Sequence, residues 1–268
     1  MQYAMLGNQK CEAAPGLRGE CQGCQSPVLA KCGTQRVWHW AHLGKITCTF
    51  EREPEKEWHR NWKNHFPVEW REVIRLAQTG ERHRADVMTE LGLVIEFQHS
   101  PLHPNERIAR ESFHSNMVWV VDGTRLRRTW SKFLQGQRSW TDTPWQGFYM
   151  THFPDESFPI EWLACTVPVF FDFRGVAETG NEQSPNRKTL WLLLPGRVEG
   201  RAVILAVSRQ DFLDVTRRRA QILDHKIILQ QIADFIALRR SLEYTEFNRQ
   251  RPGYRRRERF ARRRLPKF

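Results

Sequence analysis

Trp58, Trp62 and Phe66 recur every four residues between Pro54 and Pro67, an apolar stripe that predicts a helix of about three turns. Its polar side carries Glu55, His59 and Lys63 at the same spacing, hence on one face. Three strand-like runs follow at residues 68–74, 83–89 and 93–99, separated by Gly80 and by the turn Glu90-Leu91-Gly92. Residues 104–116 read as a helix and residues 117–121 as a buried strand ending at Asp122-Gly123. The predicted order is helix, three strands, helix, strand.

Ahead of this unit, residues 11–48 hold short segments, glycines and cysteines, the pattern of a metal-stapled module with few regular elements. Behind it, past a loop with Trp140, Pro144 and Trp145, strand-like runs at 165–173, 190–194 and 202–207 lead to a helical stretch from 210 to about 244. His152, Asp155 and Asp172 in that region read as surface or core polar residues rather than as members of a site. The expected architecture is α/β, a mixed α+β sheet, in four parts: residues 1–50, 51–135, 145–248 and 249–268.

A hydrophobic fraction of 40% over 268 residues suits a folded chain and argues against disorder throughout. Residues 1–10 lack a basic start followed by an apolar run, and no apolar run approaches the ~20 residues of a membrane span. A soluble, cytoplasmic protein is therefore expected. Five of the six cysteines precede residue 50, which favours a local metal site over a disulfide framework.

Charge redistributes the picture. Residues 249–268 hold nine arginines and Lys267 against Glu258, so this tail supplies +9 of the net +12 and the remainder is nearly neutral. Such a segment is either a solvated terminus or a sequence-independent phosphate binder, and Tyr254 and Phe260 add stacking surfaces between the arginines.

Candidate chemistry centres on the hairpin. With Glu90-Leu91-Gly92 as its loop and Gly92 left-handed, Thr89 meets Leu93 and Asp86 falls opposite Glu96, with Cβ atoms about 5 Å apart. Two carboxylates so placed on otherwise apolar strands repel unless a cation lies between them. Mg2+ or Mn2+ held by Asp86, Glu96, a backbone carbonyl (that of Phe97) and water satisfies hard-cation preferences and would activate water for phosphodiester hydrolysis. Gln98 projects from the same strand face as Glu96. The bland alternative is a solvent-facing sheet whose acids only confer solubility.

Cys21-Gln22-Gly23-Cys24 forms a thiolate knuckle, and His39 and His42 would complete a tetrahedral Zn2+ set, with Cys11, Cys32 and Cys48 as substitutes. A closed set of four ligands leaves no position for water, so that zinc would be structural.

The segments Trp38-His39-Trp40-Ala41-His42 with Cys48, His59 with Lys63, Arg84-Ala85-Asp86-Val87, Ile95-Glu96-Phe97-Gln98-His99-Ser100, Arg107 and Trp119-Val120-Val121-Asp122-Gly123 together resemble the PD-(D/E)XK nuclease superfamily and, within it, the competence protein CoiA-like family. The resemblance covers about residues 20–125. It implies a PD-(D/E)XK nuclease core behind a zinc module and a role with incoming DNA in transformation, with partners in recombination, competence or defence. Many superfamily members carry lysine where this chain has Gln98, and an amide accepts no proton at neutral pH. His59 or Lys63 would then assist the attacking water, and Glu57 or Glu55 would add an acidic group. Arg84, Arg107 and the tail residues Arg255, Arg256, Arg257, Arg262, Arg263 and Arg264 are the expected nucleic-acid contacts. Competing expectations are an accessory DNA-binding or recombination protein without catalysis, and a zinc-containing RNA-binding protein working through its tail.

Overall fold

The structure is a computed structural model that describes residues 1–44, 48, 56–77, 80–125, 127–173 and 188–250. The tail arginines from Arg251 onward, Pro54 and Glu55 lie outside the described residues.

The N-terminal module is more regular than its composition predicts. Five antiparallel strands, β1 (Tyr3–Leu6), β2 (Gln9–Glu12), β3 (Arg18–Glu20), β4 (Pro27–Lys31) and β5 (His39–His42), form one sheet in the order β2-β1-β3-β4-β5. Its small core gathers Met1, Ala4, Val28 and Trp40 with Cys21 and Cys48.

A larger sheet of nine strands carries the rest. Helix α1 (Glu57–Lys63) is followed by β6 (Arg71–Leu76), β7 (Arg82–Met88), β8 (Val94–Gln98), α2 (Pro104–Phe113), β9 (Met117–Asp122) and α3 (Arg127–Gly136). Then come β10 (Thr141–Asp142), β11 (Phe148–Thr151), β12 (Val169–Asp172), β13 (Thr189–Leu193), β14 (Ala202–Ser208), α4 (Arg209–Arg218) and α5 (His225–Gln250). The sheet order is β10-β11-β14-β13-β12-β9-β8-β7-β6, so strands from residues 145–248 continue the sheet begun by β6 to β9. Among the described residues only β8 with β9 and β9 with β12 run parallel, the first pair joined by the crossover helix α2.

Several boundaries differ from the sequence reading. Residues 68–70 form a 3-10 turn after Pro67, so the strand begins at Arg71. The helical stretch expected from 210 to 244 is two helices, because Asp224 Oδ1 accepts the backbone N–H groups of Lys226 and Ile227 and starts a new one. Helix α3 and strand β11 were not anticipated, and β10 lies in the loop expected around Trp140, Pro144 and Trp145.

Alternation along β9 divides two cores. Val118 and Val120 pack on one face with Trp62, Phe66, Phe97 and Phe212, and Trp119 and Val121 on the other with Phe133, Phe158 and Trp191. On the first face α1 is fixed by stacking of Trp62 on Phe97, ring centroids 5.5 Å apart. The indole N–H groups of Trp58 and Trp62 donate to Asp172 Oδ2 at 3.0 and 2.9 Å. Asp172, also paired with Arg209, is thus a buried polar clamp, as expected of a core residue. Among the described residues no helix is long and apolar enough to cross a membrane.

Candidate active site and metal-binding cluster

The hairpin forms in the register its loop dictates. Gly92 adopts φ +81°, Thr89 N donates to Leu93 O at 2.9 Å, and Met88 pairs with Val94 and Val87 with Ile95. Beyond Val87 the regular pattern stops. Ala85 and Val87, two residues apart, belong to opposite cores, so the alternation of β7 slips at Asp86. Carboxylates now accept what carbonyls accept elsewhere in the ladder: Phe97 N donates to Asp86 Oδ2 at 2.9 Å, and Asp86 N to Glu96 Oε1 at 3.4 Å.

The same level of β6 is distorted. Its register with β7 runs from Arg71 to Leu76 but skips Glu72, which has φ +47°. A left-handed non-glycine residue in a strand costs about 1–3 kcal/mol and persists when its surroundings over-determine it. Here the buried Glu72 carboxylate accepts Gln2 N at 3.0 Å, Tyr3 N at 3.3 Å and Lys63 Nζ at 2.8 Å. One side chain thereby ties β1, α1 and β6 together.

These distortions open a cleft of ≈ 700 Å³ lined by His59, Lys63, Arg84, Asp86, Glu96 and Gln98 among others. Helix α1 reaches it from one face of the sheet: His59 Nε2 lies 2.8 Å from Asp86 Oδ2. From α2, Arg110 Nη1 lies 3.1 Å from Glu96 Oε2, and its Nη2 2.6 Å from Glu106 Oε1. Gln98, also buried, donates from Nε2 to Ser100 O at 2.8 Å, which fixes its amide.

Electrostatics separate the two acids. Burial pushes the Asp86 carboxyl up, but the charge and hydrogen bond of His59, the charge of Lys63 and the Phe97 N–H outweigh it and hold the group down at about 2. Glu96 is pushed up to about 8 by burial and then by the Asp86 charge, against the pull of Arg110. The two acids thus share one buried spot, with His59 against Asp86 and Arg110 against Glu96.

Other expected residues stand elsewhere. Glu57 is exposed in the first turn of α1 and does not line the cleft. Lys63 lines the cleft but is buried, with Nζ 2.8 Å from Glu72 Oε1. Arg107 is buried, bonded to Glu111 Oε1 at 2.6 Å and to Cys165 Sγ at 3.3 Å, and so faces the second core instead of nucleic acid. Arg84 does line the cleft. The tail residues Arg255, Arg256, Arg257, Arg262, Arg263 and Arg264 lie outside the described residues. Arg110, Glu106 and Glu72 were not singled out from the sequence, since nothing in a short polar helix or an isolated strand acid fixes its phase toward a site.

In the N-terminal module Cys21, Cys24, His42 and Cys48 converge, their ligand atoms all within 4.8 Å of one another, and this Cys3His cluster can hold a metal ion such as zinc. Cys24 Sγ lies 3.2 Å from His42 Nε2 and Cys21 Sγ 3.8 Å from Cys48 Sγ. Burial raises the Cys24 thiol, but hydrogen bonds from Ser26, His42 and Cys48 outweigh it and bring it down to about 6, so a thiolate is accessible near neutral pH. His39, expected as a ligand, is not in the cluster; its Nδ1 lies 2.9 Å from Val37 O. On one strand, residues three apart point to opposite faces, so His39 and His42 cannot bind one ion from β5. Cys48 takes the fourth position. The knuckle abuts the larger sheet through Arg82 Nη1, which donates to Gly23 O at 2.8 Å.

Comparison with known proteins converges on the same segment. Residues 17–51, which contain all four clustered ligands, match the family model for the competence protein CoiA N-terminal domain. Competence protein CoiA of Bacillus subtilis (strain 168) is 28% identical over 146 residues, which is 50% of this chain and 39% of that protein. The match thus spans under two-fifths of the relative's length. No solved structure matches the chain. The chain is thus similar to CoiA proteins in its N-terminal domain and over about half of its length.

Proposed function

We propose that the protein is a metal-dependent nuclease that hydrolyses phosphodiester bonds, on DNA, in a competence-related role. The observation that carries this reading is the buried pair of Asp86 and Glu96 at the strand irregularity, with Glu96 pushed up to about 8 by burial and by the Asp86 charge. Asp86 and Glu96 would hold Mg2+ or Mn2+, which when bound lowers the pKa of water and neutralises developing phosphate charge. His59, against Asp86, orients that carboxylate and is the group best placed to accept a proton from the attacking water. Gln98 orients water without accepting a proton. Arg84 at the cleft and the arginine-rich tail would engage phosphates. Zinc at Cys21, Cys24, His42 and Cys48 would brace the module that docks on β6 and β7.

One observation favours a second reading, an accessory DNA-binding protein without catalysis: Lys63 is committed to Glu72, and Gln98 stands where a basic residue would serve. Incubating the full chain with labelled single-stranded, duplex and branched DNA and RNA, with Mg2+ or Mn2+, separates them. Cleavage lost in Glu96→Gln supports the nuclease; DNA binding with no cleavage by the unaltered protein leaves the accessory role.

A further inference from the structure

Arg110 occupies an unusual position among the cations of the cleft. Its side chain is 24% exposed at the opening while its guanidinium reaches Glu96, which is 2% exposed, at 3.1 Å. The other arm of the fork is held at 2.6 Å by Glu106, which stands on the rim and is 36% exposed. Glu96 is thus met by an organic cation at one of the two carboxylates that the proposed function assigns to a metal. Two positive charges on one buried carboxylate repel, and so the guanidinium and a divalent ion compete for Glu96. A guanidinium released from Glu96 is still held by Glu106, one helical turn earlier on α2, and cannot leave the cleft. Its planar fork also matches two oxygens of a phosphodiester.

Resting on the nuclease reading, we propose that Arg110 is a resident counter-ion for Glu96 which the divalent metal displaces, and that the displaced guanidinium, tethered by Glu106, then receives the phosphate of the substrate. Arg110 thereby couples metal loading to substrate binding: without metal it shields the acids, and with metal it becomes a phosphate ligand. A merely structural ion pair would instead hold Glu96 in place for the metal, and its loss would weaken metal binding.

The test measures Mn2+ binding to the intact protein by titration calorimetry, with Asp86→Asn to identify the site, and oligonucleotide binding in Ca2+ as a non-cleaving hard cation. Expected results are Mn2+ affinity raised about tenfold in Arg110→Met and oligonucleotide affinity in Ca2+ lowered about tenfold, each tenfold corresponding to ~1.4 kcal/mol. Arg110→Lys, which keeps a charge but not the fork, should fall between, and it serves if the methionine variant does not fold. Unchanged or weakened Mn2+ binding in both variants overturns the inference while leaving the nuclease reading intact. No Asp86-dependent Mn2+ binding in the unaltered protein overturns that reading itself.

Discussion

Asp86 and Glu96 each use a carboxylate where the hairpin ladder would use a carbonyl, Asp86 accepting from Phe97 N at 2.9 Å and Glu96 from Asp86 N at 3.4 Å. This exchange lets two strands separate by enough to form a cleft without leaving buried N–H groups unpaired. It also places both acids in the same low-dielectric spot, where only one ionises readily.

Glu96→Gln should therefore stabilise the metal-free protein at alkaline pH while removing Mn2+ binding and cleavage. The sign follows from the raised group: its folded pKa of about 8 exceeds the ordinary 4.5, so its favourable protonated state is fully present below 4.5 and is lost as pH rises through 8. Above that pH the buried charge costs on the order of 5 kcal/mol, which the amide avoids. Thermal unfolding at pH 5 and pH 9 in chelator checks this: the variant should gain on the native protein only at pH 9, and equal Tm differences at both pH values would defeat it.

Lys63→Met should fail by unfolding rather than by lost chemistry. The lysine neutralises the buried Glu72, whose carboxylate also holds Gln2 N and Tyr3 N, and removing one partner of such a pair costs about 3–5 kcal/mol. Replacing both, as in Lys63→Met with Glu72→Gln, should recover part of this. Urea denaturation of the single and double variants measures the coupling; a fully stable Lys63→Met with reduced kcat would instead restore the lysine as a catalytic group.

Arg107→Ala and Arg84→Ala should part company in the same way. Arg107 neutralises Glu111, which also accepts from Trp119 Nε1 and Thr166 N, so its loss should destabilise by about 3–5 kcal/mol yet leave the DNA affinity of the folded protein unchanged. Arg84→Ala should lower DNA affinity and flatten its salt dependence, by about 0.9 in the logarithmic slope for a phosphate contact on duplex. Fluorescence anisotropy over a salt series reads both.

These contrasts show what was legible in the chain. The hairpin register followed from Gly92 alone, because a left-handed loop residue fixes which positions face each other. Trp58 and Trp62 located α1 by their period, although the helix is shorter than the stripe implied, ending at Lys63 before Phe66. Charged residues on short helices gave no such period: Arg107 and Arg110 differ by three positions, and tertiary packing against Cys165 and Glu96 decides which is buried and which lines the cleft. For His39 a signal was present and went unused, since His-Trp-Ala-His on a strand puts Trp40 and His42 on one side and His39 on the other. The continuation of the sheet through β12 was not legible, because parallel pairing of β9 with β12 joins segments separated by α3, β10, β11 and several short turns.

That alternation makes the zinc cluster the sharpest remaining case. Cys48→Ser should release zinc from freshly purified protein, whereas His39→Ala should retain it in full stoichiometry. A metal bound by thiolates is lost as they protonate, so zinc should be held at neutral pH and released on acidification. Because Gly23 O, inside the knuckle, accepts from Arg82 on β7, release should also loosen the module from the larger sheet. Metal analysis by mass spectrometry across pH 5–8, with amide hydrogen exchange of β1 to β5 in parallel, follows both events. Zinc kept by Cys48→Ser but lost by His39→Ala would mean that the cluster is assembled from the other face of β5.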